Sequence, residues 1–121
     1  MWVQEISTNT FDPGQLTYRG WTYQVGAGTP SISLTLTLPN GGFDSASYDL
    51  SVYIIGTKDG ANPTSRGDVD AAYPHNLTVF STAAVTSTTF QVRIADVDAT
   101  NIAVTRRVLI SWIAIGPKAS G

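Results

Sequence analysis

Ser31-Ile32-Ser33-Leu34-Thr35-Leu36-Thr37-Leu38 alternates apolar and hydroxyl side chains without a miss over eight positions. A period of two puts the aliphatic residues on one face of an extended chain and the hydroxyls on the other. That is the pattern of a strand with one dry side and one wet side. Pro39-Asn40-Gly41-Gly42 follows with turn chemistry and ends it. The same alternation recurs in both directions. Tyr48 to Ile55 places Tyr48, Leu50, Val52 and Ile54 on one face and Asp49, Ser51 and Tyr53 on the other. Leu77 to Val85 sets Leu77, Val79 and Ser81 against Thr78, Phe80 and Thr82. After a turn at Thr86-Ser87, Phe90, Val92 and Ile94 alternate with Gln91 and Arg93. Ile102 to Thr105 reads as one more short strand. Gly56 to Asp70, with Gly60, Pro63 and Gly67, reads as loop.

The closing segment Arg107 to Gly116 is different. Val108, Ile110, Trp112 and Ala114 fall on one face, and Leu109, Ile113 and Ile115 on the other. A strand apolar on both sides is central in its sheet or lies at a subunit contact. On the second reading Trp112, Ile113, Ile115 and Leu109 form the oligomer interface. Upstream, Leu16 to Val25 alternates around Trp21, Tyr23 and Val25, and Trp2 to Ile6 is a strand or an extended arm. The expected organisation is one domain: a strand or arm region over 1–30 and a β-sandwich over 31–121. Six or seven short strands with turns between them predict an all-β, antiparallel β-sandwich.

Composition supports that class. The 121 residues hold only 13% charged side chains, and serine and threonine together number 27. Glu5 is the one glutamate, and Lys58 and Lys118 are the only lysines, so the residues that normally coat helices are missing. There is no cysteine, which excludes disulfides and thiolate chemistry. Seven basic and nine acidic residues leave a net charge of −2. That balance argues against nucleic acid and anionic membranes as partners. No apolar run approaches the roughly 18 residues of a membrane helix, and residues 1–10 lack the basic flank and apolar stretch of a signal peptide.

Chemistry-bearing constellations are sparse. His75 is the single histidine, and no Gly-x-Ser-x-Gly elbow is present, so a loop histidine is favoured over a catalytic one. Asp96-x-Asp98-x-Thr100 and Asp68-x-Asp70 each put two carboxylates on one side of an extended chain. Calcium takes such oxygen ligands, but solvated turns are the favoured reading and no cofactor is expected. Arg66-Gly67-Asp68 is the tripeptide that integrin ligands display, and a turn accounts for it equally well. Tyr73, in Tyr73-Pro74-His75-Asn76, is the aromatic best placed to be exposed and to stack on a sugar ring.

Three motifs carry a family likeness. Asn76-Leu77-Thr78-Val79, then Ala84-Val85-Thr86-Ser87-Thr88-Thr89-Phe90-Gln91-Val92, then Val108-Leu109-Ile110-Ser111-Trp112-Ile113-Ala114-Ile115-Gly116 resemble the H-type lectin domain. That family has a "V-T-x-x-x-F" strand entry and a closing "v-x-W-i-A-i-G" strand. Phe43 to Ile55 is similar to a third family strand, with Ser47-Tyr48 where proline is usual. The resemblance covers residues 31–116. It implies a six-stranded sandwich that assembles as a homotrimer and binds galactose-type sugars between protomers. Where the family has an aromatic after the "F-x-v" strand, this chain has Asp96-Val97-Asp98-Ala99-Thr100, and Thr78 stands where an arginine is usual. The expected ligand contacts are accordingly Asp96, Asp98, Thr100, Tyr73 and His75.

The resulting expectation is a non-catalytic, trimeric recognition module for surface glycans, virion-borne or extracellular, as in phage tail fibres or agglutinins. The alternative is a trimeric virion decoration or connector protein without a small ligand.

Overall fold

Ser31–Thr37 forms a strand whose Ile32 and Leu36 are buried while its serines and threonines are exposed. The computed structural model describes residues 3–8, 15–38, 41–72, 76–83 and 85–117. Eight strands run through them: β1 (Val3–Thr8), β2 (Gln15–Val25), β3 (Ser31–Thr37), β4 (Asp49–Asp59), β5 (Ala71–Ala72), β6 (Leu77–Ala83), β7 (Thr89–Asp96) and β8 (Arg106–Pro117). They make a five-stranded sheet, β1-β2-β8-β4-β5, and a three-stranded sheet, β3-β7-β6. All pairings are antiparallel. The all-β sandwich expected from the alternation is what the chain builds.

The inward rows of the two sheets meet in a single core. β3, β6 and β7 contribute Ile32, Leu36, Leu77, Phe90, Val92 and Ile94; β2 and β8 contribute Tyr18, Val108, Ile110, Trp112 and Ala114. Leu50, Val52 and Ile54 of β4 pack against it. The Phe90 and Trp112 rings meet edge-on across the sheets, with centroids 5.4 Å apart. On the same sheet Trp112 lies opposite Gly20 on β2, which presents no side chain beside it. The accessible surface is 6366 Å², against about 6,300 Å² expected for a folded chain of this mass.

β8 pairs with β2 along one edge and with β4 along the other, so its two-sided apolar pattern reflects a central position. Its last glycine has a packing reason. A Cβ on Gly116 would lie 2.5 Å from Tyr48 Cβ and 3.1 Å from Phe43 Cδ1. There the rings of Tyr18, Phe43 and Tyr48 meet in series, tilted by 58° and 33° at centroid distances of 5.0 and 4.6 Å. The Tyr18 hydroxyl donates to the Gly42 carbonyl (3.2 Å), and burial raises its pKa.

Two expectations need correction. Ile102–Thr105 is not a strand: one isolated bridge joins Ile102 to Thr29. The Gly28 N–H donates to the Ile102 carbonyl and the Ile102 N–H to the Thr29 carbonyl (2.8 Å each), and the Arg106 N–H then turns back onto the Ala103 carbonyl (3.0 Å), closing a turn where a strand was expected. β4 runs to Asp59, four residues beyond Ile55, because a bulge between Ile54 and Gly56 lets it keep pairing with β8. The strand expected over Leu16 to Val25 is β2. It lies between β1 and β8, with every residue from Gln15 to Val25 in register with β8.

Candidate functional site

Asp96 continues the inward row of β7 after Phe90, Val92 and Ile94, so a carboxylate arrives where the core would take another aliphatic residue. A buried carboxylate must find donors, and this one has three. Oδ2 accepts from Asn76 Nδ2 (2.9 Å), while Oδ1 accepts from the backbone N–H groups of Asp98 (2.8 Å) and Thr100 (3.3 Å). The loop after β7 is thereby wound around the carboxylate, and Ala99 takes a left-handed φ of 57° to complete the turn. The Asn76 hydrogen bond, then the Asp98 N–H, hold the Asp96 carboxyl below its ordinary value, with Thr100 adding to them and partial burial opposing.

This winding opens a cleft of about 190 Å³ between the start of β6, the end of β7 and the entry to β8. Asn76, Asp96, Thr100, Asn101 and Arg106 supply its polar lining, and Leu77, Ile102 and Ala103 its apolar lining. Arg106 is fixed from outside: Nε and Nη2 donate to the two Asp59 oxygens at 3.0 and 3.2 Å. The cleft is below the roughly 300–1,000 Å³ that engulfs a drug-sized molecule. Its size suits one ring or a terminal group. A general acid requires a raised carboxyl pKa near neutrality, and Asp96 is shifted the other way.

Of the expected contacts, the structure brings Asp96 and Thr100 to this cleft. Asp98 is exposed on the same loop and enters through its backbone N–H. Tyr73 and His75 lie outside the described residues. Asn76, Asn101 and Arg106 were not anticipated; their one sequence signal is position, Asn76 and Arg106 at strand starts and Asn101 in the loop after Asp96. For cations the carboxylate pair is poorly arranged: both Asp96 oxygens are already turned onto N–H donors. Among the described residues no three His, Cys, Asp or Glu side chains gather.

The second carboxylate pair diverges. Asp68 Oδ2 accepts from Lys58 Nζ (2.6 Å), the Thr64 N–H (3.0 Å) and Thr64 Oγ1 (3.3 Å), while Asp70 Oδ2 accepts from the Asp59 N–H (2.9 Å). The acid of Arg66-Gly67-Asp68 is thus committed within its own loop, and Lys58 with Thr64 lowers its pKa.

The expected interface residues separate into two groups. Trp112 faces the opposite sheet and is fully buried, so it belongs to the core and not to a subunit contact. Leu109 does point outward, but it lies opposite Gly56, over which Val69 and Ala71 fold, and it too is fully buried. Ile113 and Ile115 are left partly exposed on the outer face of the five-stranded sheet, across from exposed Ser51 and Asp49, with exposed Tyr53 on the same face. No helix among the described residues is long and apolar enough to cross a membrane.

No protein-family model, curated protein or solved structure matches this chain. The likeness to H-type lectins is accordingly carried by the sequence motifs alone.

Asp96 has a consequence for acid stability. A carboxyl whose pKa is lower folded than unfolded stabilises the fold above its unfolded pKa, and that contribution is lost as pH falls through the folded value. Asp68 acts in the same sense. Melting temperature is therefore expected to fall below about pH 4, the ordinary carboxyl range. Asp96→Asn is expected to melt lower at pH 7 and to show a shallower acid limb. Parallel wild-type and variant curves between pH 6 and 2 would show that Asp96 is not held as described.

Proposed function

We propose that this chain is a non-catalytic recognition module for carbohydrate surfaces, assembled as a homotrimer in a lectin-like or phage tail-fibre protein. The observation that carries the reading is the cleft of about 190 Å³ at Asn76, Asp96, Thr100, Asn101 and Arg106. Amide, hydroxyl and carboxylate groups converge there beside the apolar Leu77 and Ile102, which is how a site matches a sugar's hydroxyls and its CH face. The hydroxyl-rich strands and the closing-strand motif support the same reading. Assembly is supported by Ile113 and Ile115, partly exposed on the outer face of the larger sheet.

A second reading is favoured by one specific observation. The Asp96 carboxylate is occupied in winding its loop, and no described aromatic lines the cleft. A decoration or connector protein with no small ligand would look the same. Titration with galactose and N-acetylgalactosamine to millimolar concentration, followed by NMR shifts at Thr100 and Asn101, separates the two. Saturable shifts lost in Asn101→Ala support recognition; a flat response supports the connector.

Trimerisation has its own test. Ile113→Lys places an unpaired charge on the proposed contact, which is expensive to bury. Sedimentation is expected to change from a trimer to a particle of 12.9 kDa. A wild-type chain that already sediments at that mass refutes assembly on this face.

A further inference from the structure

The outer face of the three-stranded sheet holds a feature that the cleft does not use. Strand β6 changes register between Val79 and Ser81: Val79 pairs with Ile94, and Ser81 with Arg93, leaving Phe80 as the extra residue of a bulge. Bulges re-aim side chains. Val79 packs against the core, while Phe80 is 51% exposed, the one large aromatic on a face otherwise built from small and polar residues. Beside it Arg93, from the outward row of β7, is exposed and forms no hydrogen bond or ion pair with any described residue. It is also the only charged side chain on the outward rows of this sheet among the described residues. Phe80, Arg93, Ser31, Ser33 and Ile32 together line an open depression of about 270 Å³.

We infer that this depression is a second binding site, for a sugar ring bearing a carboxylate. Each element matches one part of such a ligand. An exposed aromatic face covers the CH side of a pyranose. A guanidinium with no partner among the described residues offers a planar fork that donates two hydrogen bonds to a carboxylate. The Ser31 and Ser33 hydroxyls, on alternate residues of an extended strand, point the same way and reach ring hydroxyls. A neutral sugar would leave the cation unmatched, and a simple anion would leave the aromatic unused. The site lies roughly 13 Å along β6 from Asn76, four residues at about 3.3 Å each, so it is separate from the cleft.

The test uses the whole chain, 15N-labelled, titrated with trigalacturonate and its methyl ester, and with sialyllactose and lactose. Shifts at Ser31 to Ser33 and around Arg93 are expected for an acid and not for its neutral counterpart; which acid responds identifies the source of the carboxylate. Phe80→Ala is expected to weaken binding about tenfold, the loss of one stacked ring. Arg93→Gln is expected to abolish the preference for the acid. Both are surface changes, and an unchanged melting temperature establishes that the fold is intact. Equal binding of acid and neutral sugars overturns the inference, as does silence at this face. Shifts confined to Thr100 and Asn101 would do so while leaving the cleft reading standing; silence at both sites removes both. Self-association that Phe80→Ala abolishes would overturn it by showing the patch to be a contact between copies of the chain.

Discussion

Trp112→Ala is expected to destabilise the fold by about 3–5 kcal/mol, the cost of emptying a large aromatic site in a packed core. Domains of this size hold only about 5–15 kcal/mol in total, so the variant lies near the edge of folding. The melting temperature should drop by roughly 10–20 °C. The upper end of that range is expected because the site cannot collapse. The indole is fully buried, its ring meets Phe90 from the other sheet, and its neighbour on β2 is Gly20, with no side chain to swing into the space. Trp112→Phe keeps part of the volume and should lose less. The measurement is equilibrium urea unfolding with unchanged slope. A loss under about 1 kcal/mol, within the range of surface substitutions, would place Trp112 outside the core and restore it to the subunit interface.

Gly42→Ala is the second large effect, and a neighbouring glycine makes it interpretable. Gly41 and Gly42 both have positive φ, at 80° and 72°. A left-handed backbone costs an alanine about 1–2 kcal/mol. At Gly41 that is the whole expected penalty, since nothing lies within 4 Å of the added carbon. At Gly42 the same carbon would lie 2.0 Å from the Ser87 carbonyl oxygen and 3.0 Å from Thr88 Cα, both backbone. No rotamer relieves that contact, so the strands must part. The Phe43 N–H bond to the Ser87 carbonyl (2.8 Å) and the Tyr18 hydroxyl bond to the Gly42 carbonyl (3.2 Å) are then strained or lost. With about 1 kcal/mol for each such bond, the total reaches about 3–4 kcal/mol. Equal losses in Gly41→Ala and Gly42→Ala would show that the close approach to Ser87 is absent.

Strand identity was largely legible because it depends on a period of two, which local sequence displays. β3, β7 and β8 show it with hardly a break, and the phase of β4 is correct up to Ile54. What was not legible is where that phase changes. Bulges at Ile55 and Phe80 are single-residue events set by the partner strand's register, and neither residue carries a mark of its own. Phe80 nevertheless left a trace, as a large aromatic on the polar phase beside Thr78 and Thr82. The two apolar sides of β8 were visible, but pattern alone cannot distinguish burial by sister strands from burial by a sister chain; position between β2 and β4 decides it for Trp112, and the fold-back of Val69 for Leu109. The cleft was half legible. Asp96 and Thr100 sit in one loop, whereas Asn76 and Arg106 reach it only through sheet pairing across long stretches of chain.

The order of the larger sheet also bears on how the molecule is made. β2 and β4 never touch as neighbours; β8, the last strand in the sequence, separates them. During synthesis the β1–β2 pair, the β4–β5 pair and the three-stranded sheet therefore all emerge before β8, and two greasy ribbons await a divider. Closure is a late event that joins distant parts of the chain at once, and such topologies fold in milliseconds to seconds, not microseconds. Any ribosomal pause upstream of Arg106 prolongs the interval in which those ribbons can find one another in a different copy.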